Sequence, residues 1–155
     1  MKKLAYLFEN VTPMAIIVLS GLLMVGCKDD DPTARDITTD ALINDNKTWT
    51  IDGGSATLDG DDVTQSFEGF EISFNATTYT SFNGGDIWPD ATNVPWSYKG
   101  TDANVATTII RADQVEVQIV VTKGNQLIMT FTVTDPGGRS DGLVGNYTFD
   151  LKSGA

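Results

Sequence analysis

Histidine is absent from this sequence of 155 residues, and cysteine occurs only once. Without histidine the chain lacks the commonest general base and the commonest transition-metal ligand, which excludes Ser-His and Cys-His nucleophile pairs. A single cysteine cannot form an intrachain disulfide. We therefore expect no enzymatic activity, no catalytic residues, no metal site and no cofactor.

Basic residues are scarce as well. The chain has 10 Lys and Arg against 21 Asp and Glu, a net charge of −11 at neutral pH. A protein with this charge repels phosphate backbones, so no nucleic-acid partner is expected. The length is that of one domain.

The sequence after residue 45 shows no sustained apolar period of 3.6 residues, which excludes folds with βαβ units. A weak helical pattern is confined to Thr38–Asn44. The dominant pattern is instead an alternation of apolar and polar residues, typical of β-strands with one buried face. Its clearest runs are 70–74, 115–121, 127–133 and 147–151.

The amino terminus has the features of an export signal. Lys2 and Lys3 precede an uncharged apolar run from Met14 to Val25. This run matches the hydrophobic part of a signal peptide and is short for crossing about 30 Å of hydrocarbon. We predict a signal peptide over residues 1–26, with a plain amino-terminal membrane anchor as the alternative.

The stretch Leu23-Met24-Val25-Gly26-Cys27 resembles the bacterial lipobox. The resemblance implies lipid attachment at Cys27, with palmitate-type acyl chains, and cleavage before this residue. Two acyl chains give stable anchoring, so membrane lipid is an expected partner.

The following Lys28-Asp29-Asp30-Asp31 resembles the acidic tag of surface-exported lipoproteins of the Bacteroidota. It implies a lipid-anchored location at the outer membrane, facing the cell surface; the alternative is a solvated charged linker. Residues 27–45 are predicted to form an acidic tether, and residues 46–155 the folded domain.

Turn-forming residues separate the alternating runs. Lys123-Gly124-Asn125 joins the two strongest runs, so Val115–Val121 is predicted to pair with Gln126–Val133. Short strands joined by tight turns predict an all-β domain, either an up-and-down barrel of about eight antiparallel strands or a two-sheet β-sandwich.

The stretch from Trp49 to Leu151 resembles the small lipocalin-like, calycin-type barrels found in Bacteroidota lipoproteins. The residues that carry the resemblance are Trp49, the Ile87-Trp88-Pro89 loop, Trp96-Ser97-Tyr98 and Gly145-x-Tyr147-x-Phe149. The resemblance also implies that Arg139 packs over the Trp49 ring as a cation–π plug.

Aromatic residues supply the candidate ligand contacts. Trp49 and Trp96 lie in alternating runs and are assigned to the core. Trp88 lies in a loop rich in Gly, Asp and Pro, where its ring either caps the barrel or is offered to a ligand. Tyr79 and Phe82 precede that loop and are grouped with Trp88 as candidate ligand-binding residues.

Acidic residues give weaker candidates. Asp59-Gly60-Asp61-Asp62 lacks the ligand spacing of a calcium loop, which favours a solvated hairpin turn. Glu68, Glu71 and Glu116 are the glutamates available for a glycosidase pair, and their pattern favours an outward face.

Three hypotheses for function follow. The first is a non-enzymatic lipoprotein module that binds a small apolar ligand or a glycan, or assists a larger envelope assembly. The second is a purely structural or protein-interaction domain whose interior is filled by Trp49, Phe70, Phe74, Phe131 and Phe149. The third, a carboxylate hydrolase, requires two acidic side chains facing each other across a cleft.

Overall fold

The computed structural model describes residues 31–122, 125–134 and 143–153. The predicted signal peptide, the lipidation residue Cys27 and the predicted partner of Trp49, Arg139, lie outside the described residues. The compact unit that contains the β-strands extends from Pro32 to Ala155. It therefore begins earlier than residue 46, the predicted start of the folded domain.

The folded unit is one antiparallel sheet that is nearly closed into a barrel. Its elements are helix α1 (Ala34–Ile43), a 3-10 turn (Asn44–Asn46), β1 (Trp49–Leu58), β2 (Asp61–Asp62), a 3-10 turn (Thr64–Phe67), β3 (Glu71–Phe74), β4 (Thr78–Phe82), β5 (Ala91–Pro95), β6 (Ser97–Tyr98), β7 (Thr108–Ile110), β8 (Glu116–Thr122), β9 (Gln126–Val133) and β10 (Gly145–Ser153). The strand order is β5-β4-β3-β1-β10-β9-β8-β7-β6, and β2 pairs with β1. The predicted all-β barrel is confirmed.

The two edge strands of the sheet follow each other directly in the chain. Strand β5 pairs with β4 and β6 pairs with β7, with only Trp96 between them. The backbone N–H of Trp96 donates to the Thr77 carbonyl at 3.0 Å, and its indole N–H donates to Asn75 and Thr78 carbonyls. A single stretch of chain thus borders both ends of the sheet, which brings the barrel close to closure.

The alternation in the sequence is confirmed as the division between interior and exterior. Strands β8 and β9 pair as predicted, with Val121 opposite Leu127. Every second residue of the main strands is buried, including Val117, Ile119, Leu127, Met129, Phe131, Tyr147, Phe149 and Leu151. Burial of these apolar side chains supplies the main driving force for folding.

Helix α1 lies within the range predicted to be a tether. It begins with a reciprocal cap, in which the Asp36 N–H donates to Thr33 Oγ1 and the Thr33 N–H donates to the Asp36 carboxylate. These backbone and hydroxyl hydrogen bonds from Thr33 hold the pKa of Asp36 below its usual value. The helix packs on the barrel through Leu42, whose side chain is fully buried. The second half of the predicted tether therefore belongs to the folded unit.

Two further contacts fix α1. The Trp49 indole N–H donates to the Leu42 carbonyl at 2.8 Å. The Arg35 guanidinium lies 5.2 Å from the centre of the Tyr98 ring and donates to the carbonyls of Lys99, Gly100 and Val105. Within the described residues, no helix has the length and apolar character needed to cross a bilayer.

Strand β1 contains a bulge opposite β10. The register shifts between Thr50 and Ser55, and Gly54 lies within this bulge. The backbone of Gly54 comes so close to the Asp150 carbonyl that a Cβ atom at this position would overlap it. Only glycine allows this approach of two backbones, which lets β1 bend while staying paired with β10.

Candidate functional site

The loop of residues 83–90 turns the Trp88 side chain into the barrel. Three hydrogen bonds hold the loop: the Asn83 N–H donates to Asp90 Oδ1 at 2.7 Å, Asn83 Nδ2 donates to the Gly69 carbonyl, and Ser81 Oγ donates to the Pro89 carbonyl. Asn83 adopts a φ of 60°, a left-handed conformation that asparagine tolerates better than most residues. The loop is therefore a fixed part of the barrel.

Trp88 is fully buried. Its ring meets the rings of Phe70, Tyr79 and Phe131 edge-on, with centroid distances of 6.1, 6.0 and 5.3 Å. Edge-to-face packing of this kind adds to the free energy gained by burying each ring. Trp88 does not lie on a surface where it could be offered to a ligand; it caps the aromatic interior.

A buried cation stacks on Trp88. The guanidinium carbon of Arg111 lies 4.3 Å from the centre of the indole ring, and only 2% of the Arg111 side chain is exposed. Its Nη1 donates to the Ile87 carbonyl at 3.0 Å, and its Nη2 pairs with Asp113 Oδ2 at 2.7 Å. The predicted cation–π plug therefore has a counterpart in the described structure, built from Arg111 and Trp88.

Two N–H groups at this plug have no hydrogen-bond acceptor within the described structure: Nε of Arg111 and Nε1 of Trp88. Two partners offset the charge of Arg111: the face of the Trp88 indole ring and the carboxylate of Asp113. The Asp113 side chain is half exposed at the surface. The plug is a buried contact between one cation and one aromatic ring, and its burial makes it sensitive to loss of either partner.

The side chains of Tyr79 and Phe82 lie on opposite sides of strand β4, one inside the barrel and one outside. Tyr79 is buried beside Trp88 and Phe74, and burial raises the pKa of its hydroxyl, an effect that the nearby Arg111 partly opposes. The side chain of Phe82 points outward and is 46% exposed. The structure therefore brings Tyr79 and Trp88 together and leaves Phe82 apart on the outside.

Two carboxylates of the acidic turn at residues 59–62 already accept hydrogen bonds from other groups of the protein. Asp59 Oδ1 accepts from the backbone and side-chain amides of Asn146. Asp62 Oδ1 accepts from the hydroxyl and backbone N–H of Thr64, and these hydrogen bonds hold the pKa of Asp62 below its usual value. Within the described residues no three acidic or thiol side chains are gathered in a way that could hold a metal ion.

The glutamates lie on the outside. Glu68, Glu71 and Glu116 are all exposed. Glu116 forms an ion pair with Lys99 at 2.7 Å, and both side chains are more than half exposed. Glu68 lines a surface groove of about 270 Å³ together with Asp52, whereas neither Glu71 nor Glu116 lines it. The three glutamates therefore do not face one another across that groove as a carboxylate pair acting on a sugar would.

The outer face of strands β7–β10 carries a polar groove of about 450 Å³. Its walls are the Lys99–Glu116 ion pair on one side and Asn146 with Thr132 on the other, and Thr132 Oγ1 donates to Asn146 Oδ1 at 2.7 Å. The remaining polar residues of the lining are Thr108, Gln118 and Thr130. The groove thus offers hydroxyl and amide groups on strands that are paired with neighbouring strands.

The sequence reasoning missed both Arg111 and this groove. Arg111 shares a face with the buried Ile109, two residues earlier, so the alternation already placed a cation inside. The groove depends on strand register, which a single sequence does not reveal. No protein-family model matches the chain, and neither the curated proteins nor the solved structures include a significant match to it.

Proposed function

We propose that this protein is an envelope lipoprotein, anchored by acyl chains on Cys27 and facing the cell surface, whose barrel is a non-enzymatic binding module. In this proposal the interior of the barrel is a structural core, and ligands or partner proteins bind to its outer face. The resemblance of residues 23–31 to lipoprotein signals supports the location. The finer assignment to the lipocalin-like lipoproteins of the Bacteroidota rests on the motifs between Trp49 and Leu151 and is compatible with the nearly closed barrel.

The observation that carries the binding mode is the packing of the interior. The five residues proposed to fill it are at most 2% exposed: Trp49, Phe70, Phe74, Phe131 and Phe149. Phe149 contacts Phe70 and Phe131 at centroid distances of 5.1 and 5.6 Å. A barrel with rings packed at these distances uses its interior for stability, as small barrels do. This favours the outer face over an internal apolar site.

Xenon titration tests the packed interior. Xenon enters apolar cavities in proteins, so we expect no saturable shift of the Leu127, Met129 and Leu151 methyl resonances under xenon pressure. A saturable shift at these core methyls would instead reveal a hollow interior, and the small apolar ligand would become the better hypothesis.

Mutation of Cys27 tests the location. In the producing bacterium we expect the wild-type protein in the membrane fraction, with mass spectrometry showing a diacylated amino terminus at Cys27. Cys27→Ala should remove the acyl chains and leave the signal peptide uncleaved at this site, because the sulfur that carries the lipid is gone. Recovery of the wild-type protein with an unmodified thiol would contradict the anchor. Thr92→Ala, an exposed change on β5, serves as the processing control.

A further inference from the structure

Strand register brings five neutral polar residues into one line on the outside of the barrel. Thr108 on β7 lies opposite Gln118 on β8, Gln118 lies opposite Thr130 on β9, Thr130 lies opposite Thr148 on β10, and Thr148 lies opposite Thr57 on β1. We call these five residues the outer row. With strands about 4.8 Å apart, the row spans about 19 Å.

The side chains of the outer row all point away from the core. Gln118 lies between the buried Val117 and Ile119, and Thr148 lies between the buried Tyr147 and Phe149. Thr130 has the same relation to its neighbours Met129 and Phe131. The row therefore forms a continuous strip of hydroxyl and amide groups, and its first three members lie in the groove.

The outer row differs from most of its polar neighbours in hydrogen bonding. Within the described residues, none of these five side chains forms a hydrogen bond to another protein group. The flanking positions differ: Glu116 pairs with Lys99, Asn146 is tied to Thr132 and Asp59, and Asp150 binds Gln126 and Lys152. The outer row is thus bordered by the paired side chains of Glu116, Asn146 and Asp150 and by the apolar side chains of Val120 and Ile128.

We propose that the outer row binds a neutral, linear glycan laid across the strands. Threonine hydroxyls and the glutamine amide both donate and accept hydrogen bonds, as sugar hydroxyls do. The row carries no charge, and the net charge of −11 disfavours anionic polymers. The inference rests on the proposed function, because it names the ligand that the outer face of the module would take.

The same observations disfavour a polypeptide. Strands β7, β8, β9, β10 and β1 each have a neighbour on both sides, so their backbone groups cannot accept an added strand. The centre of a protein interface is usually rich in aromatic, Met and Arg side chains, and the outer row has none of these. A chain of sugar hydroxyls fits the strip better.

Titration of the purified full-length protein tests this inference. The probes are cellohexaose, laminarihexaose and mannohexaose, each raised to about 10 mM, a range in which weak binding is still detected. The readout is the backbone amide shift in NMR spectra. We expect at least one probe to shift the amides of Gln118, Thr130 and Thr148 in a saturable way. No shift with any probe, or shifts confined to other surfaces, would overturn the inference.

Two variants sharpen the result. Thr130→Val removes a hydroxyl, keeps the shape of the side chain and suits a strand. This variant should weaken binding about fivefold, and the double variant Thr130→Val with Thr148→Val should weaken it about thirtyfold. Thr92→Val, the matched change on β5, should leave affinity unchanged. Equal shifts with a neutral Ser-Gly hexapeptide would overturn the glycan assignment. The titration uses purified protein, so its outcome is independent of the Cys27 result.

Discussion

Replacing Trp88 by alanine is expected to lower the free energy of unfolding by about 3–5 kcal/mol, the range measured for large aromatic residues removed from cores. Trp88 is fully buried and contacts Phe70, Tyr79 and Phe131. Its loss also removes the ring on which the guanidinium of Arg111 lies. A loss of this size is a large part of the stability of a domain of this length.

Phe82→Ala is the matched control. Phe82 belongs to the same set of aromatic residues singled out in the sequence, yet its side chain is 46% exposed. We expect this variant to lose about 1 kcal/mol or less. Urea unfolding followed by far-UV circular dichroism measures both variants without relying on tryptophan fluorescence. Equal losses for the two variants would contradict the role of Trp88 as the cap of the aromatic interior.

Gly54→Ala is expected to destabilise the barrel by about 3 kcal/mol, at the upper end of the usual range for overpacking. The added Cβ would overlap the Asp150 carbonyl, so strand β1 or β10 must move. These two strands pair over most of their length, from Trp49 opposite Ser153 to Leu58 opposite Tyr147. Displacement of either one disturbs the centre of the sheet.

Gly53→Ala separates the steric effect from the effect of backbone conformation. Gly53 has a φ of 74°, and a Cβ added to it would meet no atom within 4 Å. Alanine there therefore meets only the left-handed backbone penalty of about 1 kcal/mol. Thermal and urea unfolding of both variants give the comparison. If Gly53→Ala were as destabilising as Gly54→Ala, the close approach to Asp150 would not be the cause.

The local pattern of the sequence predicted the strands well because period-two alternation is a direct consequence of having one buried face. It predicted the pairing of β8 with β9 because these strands are adjacent in the chain and a short turn joins them. Helix α1 was predicted poorly. The sequence signal for this helix was the Thr33–Asp36 cap, but the acidic composition around it favoured a tether. Only docking on the barrel through Leu42 and Arg35 stabilises the helix.

The aromatic residues show the same division between what the local sequence predicts and what tertiary contacts decide. Trp49 and Trp96 lie in alternating runs and are buried as predicted, at 1% and 7% exposure. Trp88 lies in a loop, where alternation gives no prediction, and its ring packs against Arg111, 23 positions further along the chain. Local pattern cannot specify such a contact, because it is decided by which strands become neighbours.

The sequence by itself determined that the chain builds antiparallel strands, which residues form their buried faces and that histidine chemistry is excluded; each of these follows from residue type or from spacing along the chain. Only the tertiary structure decided the strand order, the Arg111–Trp88 plug and the alignment of Thr57, Thr108, Gln118, Thr130 and Thr148. These features depend on register between strands that are distant in sequence, and register is set by the joint packing of the whole core.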